Sequence, residues 1–226
     1  MTANDAANTF RTIVDSRHSA CAFLPDEVPQ DLLDKVFSVA QRAPSNCNTQ
    51  PWLIHVVSGK KCAALIKVLS EALSAGRSSM DFPTLDSYDG VYKERQHAAA
   101  KALYDAVGIH RGDKEGRLIQ FMRNFEFFGA PHVAFVFMPE FCGLREACDV
   151  GMYTQTLMLS MTAHGLASCP QTALGFDAEV VRGTLGIDSS QKLIFGISFG
   201  YPEVDATVNN ATTNRCALAE AVTFYR

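Results

Sequence analysis

The sequence of 226 residues lacks the features that mark nucleic-acid-binding, secreted and membrane-spanning proteins. Its formal net charge is −4, whereas a protein that binds nucleic acid through phosphate groups needs an excess of basic side chains. Its longest strongly apolar runs are about ten residues, well short of the ~20 that cross a bilayer. Residues 1–5 are polar and lack the basic start and apolar run of a signal peptide. We therefore expect a soluble, cytoplasmic protein that binds neither nucleic acid nor membrane.

Common metal and nucleotide motifs are absent as well. The seven cysteines form an odd set without Cys-x-x-Cys spacing, which argues against a disulfide framework and against a zinc ribbon. There is no Gly-x-Gly-x-x-Gly after a strand, no Gly-x-x-x-x-Gly-Lys-[Ser/Thr] and no His-Glu-x-x-His. The sequence therefore predicts no metal site and no Rossmann or P-loop site. Any phosphate group must be bound by side chains gathered from distant segments.

Hydrophobic periodicity predicts a mixture of helices and strands. With 47% hydrophobic residues the chain can build a sizeable core, and we expect one domain over residues 1–226. Turn-rich, aperiodic stretches predict an irregular excursion over 76–95 and a polar proline loop over 169–172. The predicted helices cover 6–14, 29–43, 62–73, 95–108, 114–128, 149–164 and 177–184, and the predicted strands cover 53–57, 133–138 and 193–200.

The most informative segment is a proline-bracketed run over residues 43–52, which we call the polar loop. Its side chains offer hydrogen-bond donors and acceptors without a run of charge, which suits a planar heteroaromatic ligand better than a metal or a polyanion. An equally weighted alternative is a rigid connector whose side chains satisfy their own turns. The residues concerned are Pro44, Ser45, Asn46, Asn48 and Gln50.

Four further sites carry both a functional and a structural interpretation. Arg17-His18-Ser19 combines a guanidinium, an imidazole and a hydroxyl suited to one phosphate, although such a trio is more often a solvated helix end. Gln171, after Pro170, is similarly ambiguous, and Arg215 alone reads as a surface charge. A nucleophilic Cys169 with His132 or His164 is disfavoured, because no neighbouring cation or helix start would lower the pKa of the thiol.

Taken together, these segments resemble the nitroreductase family of FMN-dependent oxidoreductases, and the resemblance covers nearly the whole chain. Each motif alone is modest, but their common order and spacing make a chance match improbable. The segments that carry the resemblance are Ser16-Arg17-His18-Ser19 with Phe23, the run from Arg42 to Trp52, the run from Arg123 to Pro131, Gly165 to Gln171, Phe199-Gly200-Tyr201-Pro202, and Arg215 to Tyr225.

The resemblance implies an α+β fold with a central, mainly antiparallel sheet flanked by helices, assembled as an intertwined homodimer with two FMN sites at the interface. By this resemblance Arg17, Ser19 and Arg215 hold the FMN phosphate, and His18 lies along the ribityl chain. The other implied contacts are Pro44, Ser45 and Asn46 covering the flavin from the partner subunit, Asn48 and Gln50 bonding to the cofactor, and Pro170 and Gln171 beside the isoalloxazine ring.

Two departures from the family pattern concern positive charge. Members of this type often carry a basic residue shortly after the Arg-x-Ser element and a second arginine three positions before the tail arginine. Here Ala22 and Thr212 stand at these places. FMN then meets fewer cations, unless lysines or arginines from other segments compensate.

The implied chemistry is a two-step shuttle, in which NAD(P)H delivers hydride to flavin N5 and an acceptor, most readily a nitroaromatic compound, then takes the electrons. The cofactor carries the difficult step, so no side chain need act as a catalytic acid or base. Rival functions are a flavin-dependent reductive dehalogenase, a quinone or flavin reductase, and a non-catalytic flavin-binding redox module. Aromatic candidates for the acceptor pocket, which equally suit interface packing, are Phe82, Tyr88, Tyr92 and Phe121.

Overall fold

The structure, a computed structural model, describes residues 2–226. Its centre is a four-stranded sheet in which each neighbouring pair of strands is antiparallel, with the order β1-β2-β4-β3. The predicted mainly antiparallel sheet is therefore confirmed. The strands are β1 (Leu53–Ser58), β2 (His132–Pro139), β3 (Ala167–Gln171) and β4 (Gln191–Gly200).

Helices cover both faces of this sheet. Eight are found in the part of the chain that the structure describes: α1 (Ala3–Ser16), α2 (Gln30–Ala40), α3 (Lys60–Ser74), α4 (Gly90–Ala106), α5 (Lys114–Met122), α6 (Leu144–Ala163), α7 (Ala178–Leu185) and α8 (Leu218–Ala221). None of the helices described is both long enough and apolar enough to cross a membrane.

The central strand β2 divides the core in two. Successive side chains of a strand point to opposite faces of the sheet. Accordingly, Phe135 and Phe137 join a cluster that includes residues of α3 and α7, whereas Val136 and Met138 join a cluster that includes residues of α2 and α6. Every residue of β2 except Pro139 is buried, as expected for a strand that is covered on both faces.

Three predicted boundaries are wrong. The irregular excursion predicted over 76–95 ends earlier, because α4 already begins at Gly90. The predicted helix over 149–164 begins at Leu144, after a cap in which the Gly143 N–H donates to the Glu146 carboxylate. The predicted helix over 114–128 stops at Met122 and continues as 3₁₀ turns, with Phe127 and Phe128 in the left-handed region.

The proline loop predicted over 169–172 is wrong in kind, because Cys169, Pro170 and Gln171 belong to strand β3. Proline cannot donate a ladder hydrogen bond and is therefore confined to sheet edges. Strand β3 is such an edge, with β4 on one side, so Pro170 is tolerated there. Pro170 therefore indicates that β3 lies at the edge of the sheet, and it does not interrupt the strand.

Several elements leave apolar side chains uncovered. No residue of α1, α4 or α8 in the described chain is buried. On α1, Phe10 is 61% exposed, and in the tail Phe224 and Tyr225 are 70% and 93% exposed. Contiguous apolar exposure of this kind is typical of surfaces that are covered by another molecule.

Candidate functional site

Two arginines from opposite ends of the chain lie close together. Arg17 caps the carboxyl end of α1, and Arg215 lies in the tail, where its Nη1 donates to the carbonyl oxygen of Thr213 at 3.1 Å. Burial, and then the positive charge of Arg215, lower the pKa of Arg17. Neither arginine forms an ion pair within residues 2–226. We call these two residues the guanidinium pair; because no carboxylate of the described chain neutralises them, they are a candidate anion site.

The segment that follows Arg17 is fixed against the sheet. Ser19 forms a parallel bridge with Ser168, and the Ala20 N–H donates to the Ser168 carbonyl oxygen at 3.1 Å. The Oγ of Ser168 is buried and has no hydrogen-bond partner in the described chain, although buried hydroxyls are normally paired. This hydroxyl is enclosed within the protomer and is not accessible to a ligand.

Asn209 holds the same segment from the other side. Its Oδ1 accepts from the backbone N–H groups of Cys21 and Ala22 at 2.8 and 3.1 Å, and its Nδ2 donates to the Ala22 carbonyl oxygen at 2.9 Å. No local sequence signal identifies Asn209, because the bond joins residues 188 positions apart. The asparagine gives residues 17–22 a defined backbone without occupying the guanidinium pair.

Two thiols and a third arginine lie next to this segment. The hydrogen bond with Cys21 and burial raise the pKa of Cys169 well above its ordinary value, although the charge of Arg17 opposes them. For Cys21, the bond with Cys169 lowers the pKa and the charge of Arg123 lowers it further, whereas burial opposes both. Cys169 is therefore a buried, protonated thiol rather than a nucleophile, and Arg123 is a nearby cation that the sequence analysis did not assign.

The histidines considered as bases for Cys169 are engaged elsewhere. The Nε2 of His132 accepts from the Val28 N–H at 2.8 Å, so Nδ1 carries the proton and donates to the Ser58 Oγ at 2.5 Å. Burial lowers the pKa of His132, which favours this neutral form. His164 contacts the carbonyl oxygen of its own helix at Ser160, with Nδ1 at 2.8 Å. No thiol–imidazole pair results.

Gln171 is the last residue of β3, and both the nitrogen and the oxygen of its buried side-chain amide form hydrogen bonds. Its Nε2 donates to the Asn124 carbonyl oxygen at 2.9 Å and to Asn124 Oδ1 at 3.2 Å, and its Oε1 accepts from Ser198. Asn124 in turn donates from Nδ2 to the Phe121 carbonyl oxygen at 2.9 Å. The Gln171 side chain therefore joins the edge of the sheet to the end of α5, and only its backbone is left for a ligand.

The polar loop has a strained backbone and is hydrogen-bonded to helix α6. Cys47, Asn48 and Gln50 all have positive φ angles, of 49°, 57° and 49°, a conformation that non-glycine residues rarely adopt. The Ser45 Oγ accepts from the Gln50 N–H at 3.0 Å, so part of the connector interpretation is confirmed. Asp149, buried on α6, accepts from the Asn46 N–H at 3.0 Å. Strain held by a buried carboxylate is typical of a functional loop.

Within one protomer the polar loop and the guanidinium pair lie at opposite corners of the sheet. Leu53, directly after the loop, pairs with Phe137, which pairs with Leu193; Cys169, beside Arg17, pairs with Ser198. The step from Leu193 to Ser198 covers about 17 Å, and three strand spacings of ~4.8 Å add about 14 Å across the sheet. The loop of one protomer therefore does not reach the guanidinium pair of the same protomer.

A sequence model of the nitroreductase family matches residues 14–201. The chain belongs to this family. The match begins shortly before Arg17 and runs through the polar loop, Asn124 and Gln171 to the end of β4.

Two similar nitroreductases from bacteria cover nearly the whole chain. Nitroreductase NfnB of Mycolicibacterium smegmatis is 43% identical over 223 residues, which are 98% of this chain and 95% of the relative. A 4-nitrobenzoate reductase of Pseudomonas putida is 34% identical over 218 residues, which are 96% of this chain and 95% of the relative.

A solved structure agrees with the fold. The FMN-dependent nitroreductase NfnB from Mycobacterium smegmatis, crystallised in complex with NADPH, superposes with a TM-score of 0.95 at 42% identity. The superposition covers 98% of this chain and all of that chain. The α+β nitroreductase fold implied by the resemblance is confirmed.

In the present chain, the predicted binding residues form two separate groups. Arg17 and Arg215 come together, with Ser19 bridged to the strand that carries Pro170 and Gln171. His18 is exposed, and its Nδ1 lies 3.0 Å from the Ser16 carbonyl oxygen. The second group stays on the polar loop of the same protomer, away from the first: Pro44, Ser45, Asn46, Asn48 and Gln50.

The aromatic residues expected around the acceptor lie in different surroundings. Phe82 lines a small apolar hollow with Met138 and Leu144, where the sheet meets the start of α6. Phe121 packs edge-on against Phe125, with ring centroids 5.7 Å apart. Tyr92 lies on α4 under the Arg95 guanidinium, and Tyr88 is exposed just before that helix. Of the four, Phe121 lies nearest in sequence to the Gln171–Asn124 contact.

A groove adjoins the guanidinium pair. It has a volume of about 610 Å³ and lies between α4 and the tail segment 212–216. Arg95, Arg215 and Glu220 line it, and Arg95 pairs with Glu220 at 3.1 Å. Arg215 therefore faces both this groove and Arg17, and Thr212 lines the same groove without supplying charge.

Proposed function

We propose that this chain is an FMN-dependent NAD(P)H nitroreductase that binds FMN at the guanidinium pair and reduces the nitro groups of aromatic compounds. One observation carries the proposal: Arg17 and Arg215 are close enough for their charges to interact, and neither has a carboxylate partner within residues 2–226. Two unneutralised guanidiniums, with the exposed Ser19 two residues after Arg17, suit a phosphate dianion. The names of the similar proteins, an FMN-dependent nitroreductase and a 4-nitrobenzoate reductase, support the same cofactor and substrate class.

The residues present fit FMN. Arg17, Ser19 and Arg215 would hold the phosphate. Arg123, close to Cys21, supplies a positive charge in a region where Ala22 and Thr212 lack one. Bound FMN would accept a hydride from NAD(P)H and pass the electrons to the acceptor.

The remaining residues of the site bind and orient the cofactor. The Gln171 amide fixes the end of β3 through Asn124 and Ser198, so that the backbone at Pro170 and Gln171 is presented along the ring. His18 is exposed and would lie along the ribityl chain.

The functional unit in this proposal is a homodimer. The polar loop of one protomer lies a sheet diagonal away from the guanidinium pair of the same protomer. If Pro44, Ser45 and Asn46 cover the flavin, they must come from the partner subunit. The strained loop, held by Asp149, would then be preformed for a ligand in the other protomer.

Exposed apolar surface supports this assembly. Phe10 on α1 and Leu218, Phe224 and Tyr225 in the tail are largely uncovered in the protomer. The first turn of α4 adds the exposed Val91 and Tyr92. Burying these apolar side chains against a second copy would remove apolar area from water, at a gain of roughly 25 cal/mol per Å². We also propose that residues 1–226 form a single domain around the sheet. The candidates for the wall of the acceptor pocket are Phe82, Tyr88, Tyr92 and Phe121.

Rapid mixing tests the activity. The purified yellow protein, mixed anaerobically with NADPH or NADH, should lose its flavin absorbance within seconds, and 4-nitrobenzoate or nitrobenzene should restore it. Loss and recovery of the flavin absorbance would demonstrate catalytic turnover, because the electrons pass from the nucleotide to the acceptor through the bound cofactor. A protein that stays yellow with both nucleotides would be a flavin-binding module without turnover and would contradict the proposal.

A further inference from the structure

A second hollow lies on the other side of α4 from the groove of the guanidinium pair. It has a volume of about 540 Å³ and is lined by α4, the turn after it and the first turn of α5. Lys101 and Asp105 line both this hollow and the groove. Its full set of lining residues is His97, Ala100, Lys101, Tyr104, Asp105, Ile109, Arg111 and Arg117.

The charge in this hollow is unbalanced. Among the residues that the structure describes, Asp105 is the one acidic side chain in the lining, and Lys101 pairs with it. Arg111 and Arg117 form no ion pair in the described chain. Arg117 Nε donates to the Asp113 carbonyl oxygen at 3.2 Å, which leaves its two Nη groups without a partner within residues 2–226. Two guanidiniums therefore converge on one concave surface with free donors.

The nearby carboxylate of Asp113 forms no ion pair with either guanidinium. The side chain of Asp113 caps α5, with Oδ1 accepting from the Gly116 N–H at 2.8 Å. His97 and Tyr104 add an imidazole and a phenol to the same lining. The hollow thus combines cations with hydrogen-bonding rings, a chemistry suited to a small oxyanion attached to an aromatic or heteroaromatic group.

The α5 helix connects this hollow to the flavin site. Arg117 and Phe121 are four residues apart, so they lie on the same face of α5, about 6 Å apart along its axis. The Phe121 carbonyl oxygen accepts from Asn124, and Asn124 accepts from Gln171 at the end of β3. A substrate that reaches Gln171 along α5 would place its distal end near Arg117.

We propose that the hollow formed by His97, Arg111 and Arg117 binds an oxyanion carried by a substrate of the enzyme, and that it thereby selects substrates with this additional oxyanion over those that lack it. This inference rests on the proposed function. Two sources of the oxyanion are compatible with the lining: the 2′-phosphate of NADPH and the carboxylate of a nitrobenzoate. The 2′-phosphate is the better match, because a dianion can bond to both guanidiniums at once.

Matched pairs of substrates separate the two sources. The variant Arg111→Ala/Arg117→Ala is compared with Arg145→Ala, which removes an exposed arginine from the first turn of α6. For the double variant, kcat/KM with NADPH should fall at least tenfold whereas kcat/KM with NADH changes less than about twofold, since each charge-assisted bond accounts for roughly a tenfold effect or more. Arg111→Lys/Arg117→Lys should recover part of the loss.

The second matched pair, 4-nitrobenzoate and nitrobenzene, tests whether the acceptor carries the oxyanion. A selective loss with 4-nitrobenzoate but not with nitrobenzene, at unchanged NADPH kinetics, would assign the same oxyanion site to the acceptor. Equal changes within both pairs, or no change in either, would overturn the oxyanion site. Because wild-type turnover is measured in the same assay, an inactive wild type would instead contradict the proposed function.

Direct binding provides a readout apart from turnover. Calorimetric titration of the yellow holoenzyme with adenosine 2′,5′-bisphosphate and with 5′-AMP measures what the 2′-phosphate contributes. Wild type and Arg145→Ala should prefer the bisphosphate by about tenfold or more, and the double variant should lose that preference. If the preference is absent in the wild type, the hollow does not bind the 2′-phosphate, and only the acceptor arm can then sustain the proposal.

Discussion

Arg17→Ala combined with Arg215→Ala should give a folded protein that purifies without FMN. The two guanidiniums lie together without a neutralising carboxylate, so they repel each other until an anion binds between them. Charge-assisted bonds to phosphate contribute roughly 1.5–3 kcal/mol each, so loss of both should raise the Kd for FMN by about 10²- to 10⁴-fold. Removing them should leave folding intact, because mutual repulsion between the pair does not stabilise the empty protein.

The measurement is flavin occupancy from the absorbance spectrum, followed by titration of apoprotein with FMN. The matched control is Lys67→Ala/Arg145→Ala, which also removes two positive charges but from exposed positions away from the sheet edge. The control should retain full occupancy. Full occupancy in Arg17→Ala/Arg215→Ala, with a native circular-dichroism spectrum, would show that the phosphate is bound elsewhere.

Asn48→Gly/Gln50→Gly should weaken FMN binding without straining the loop backbone. Both residues have positive φ, a conformation that glycine adopts without strain, so the substitutions remove the two amides, together with the bond from Gln50 Nε2 to the Asn48 carbonyl oxygen, at backbone angles that glycine tolerates. Each neutral hydrogen bond contributes about 0.5–1.5 kcal/mol, so the loss of two predicts a roughly 5- to 150-fold higher Kd.

Cys47→Gly is the matched control for this loop. Cys47 has the same positive φ, of 49°, and the substitution removes no amide. The Kd for FMN from fluorescence titration should therefore stay close to that of the wild type. If the control weakens FMN binding as much as the double variant, the effect comes from backbone flexibility, and the amides of Asn48 and Gln50 do not bind the cofactor.

Much of the fold follows from hydrophobic spacing. The strands at 53–57, 133–138 and 193–200, and the helices at 29–43, 62–73 and 177–184, are confirmed within a few residues. Edge strand β3 is missed because Pro170 is a strand breaker unless the strand is at a sheet edge, and edge position is a property of the tertiary fold. The 3₁₀ turns after α5 are missed because Phe127 and Phe128 give no signal for positive φ.

The candidate site follows from sequence only in part. Arg17 and Arg215 are identified by resemblance, whereas their proximity is visible only once the tail folds back beside α1. Their supporting residues carry no motif: Asn209 bonds to a segment 188 positions away, and Asp149 bonds to the polar loop across 103 positions. Long-range polar contacts of this kind depend on the whole topology and cannot be read from local patterns.

The central claim is that each FMN site combines the guanidinium pair of one protomer with the polar loop of the other, and mixed dimers test it most directly. Co-expression of Arg17→Ala/Arg215→Ala with Asn48→Gly/Gln50→Gly, each with a different affinity tag, allows the heterodimer to be purified and its FMN content measured. If the site is shared, one site in the heterodimer carries both defects and the other is intact, so one FMN per dimer binds with wild-type affinity. If each site belongs to a single protomer, both sites are defective and no wild-type affinity is recovered, which would contradict the account.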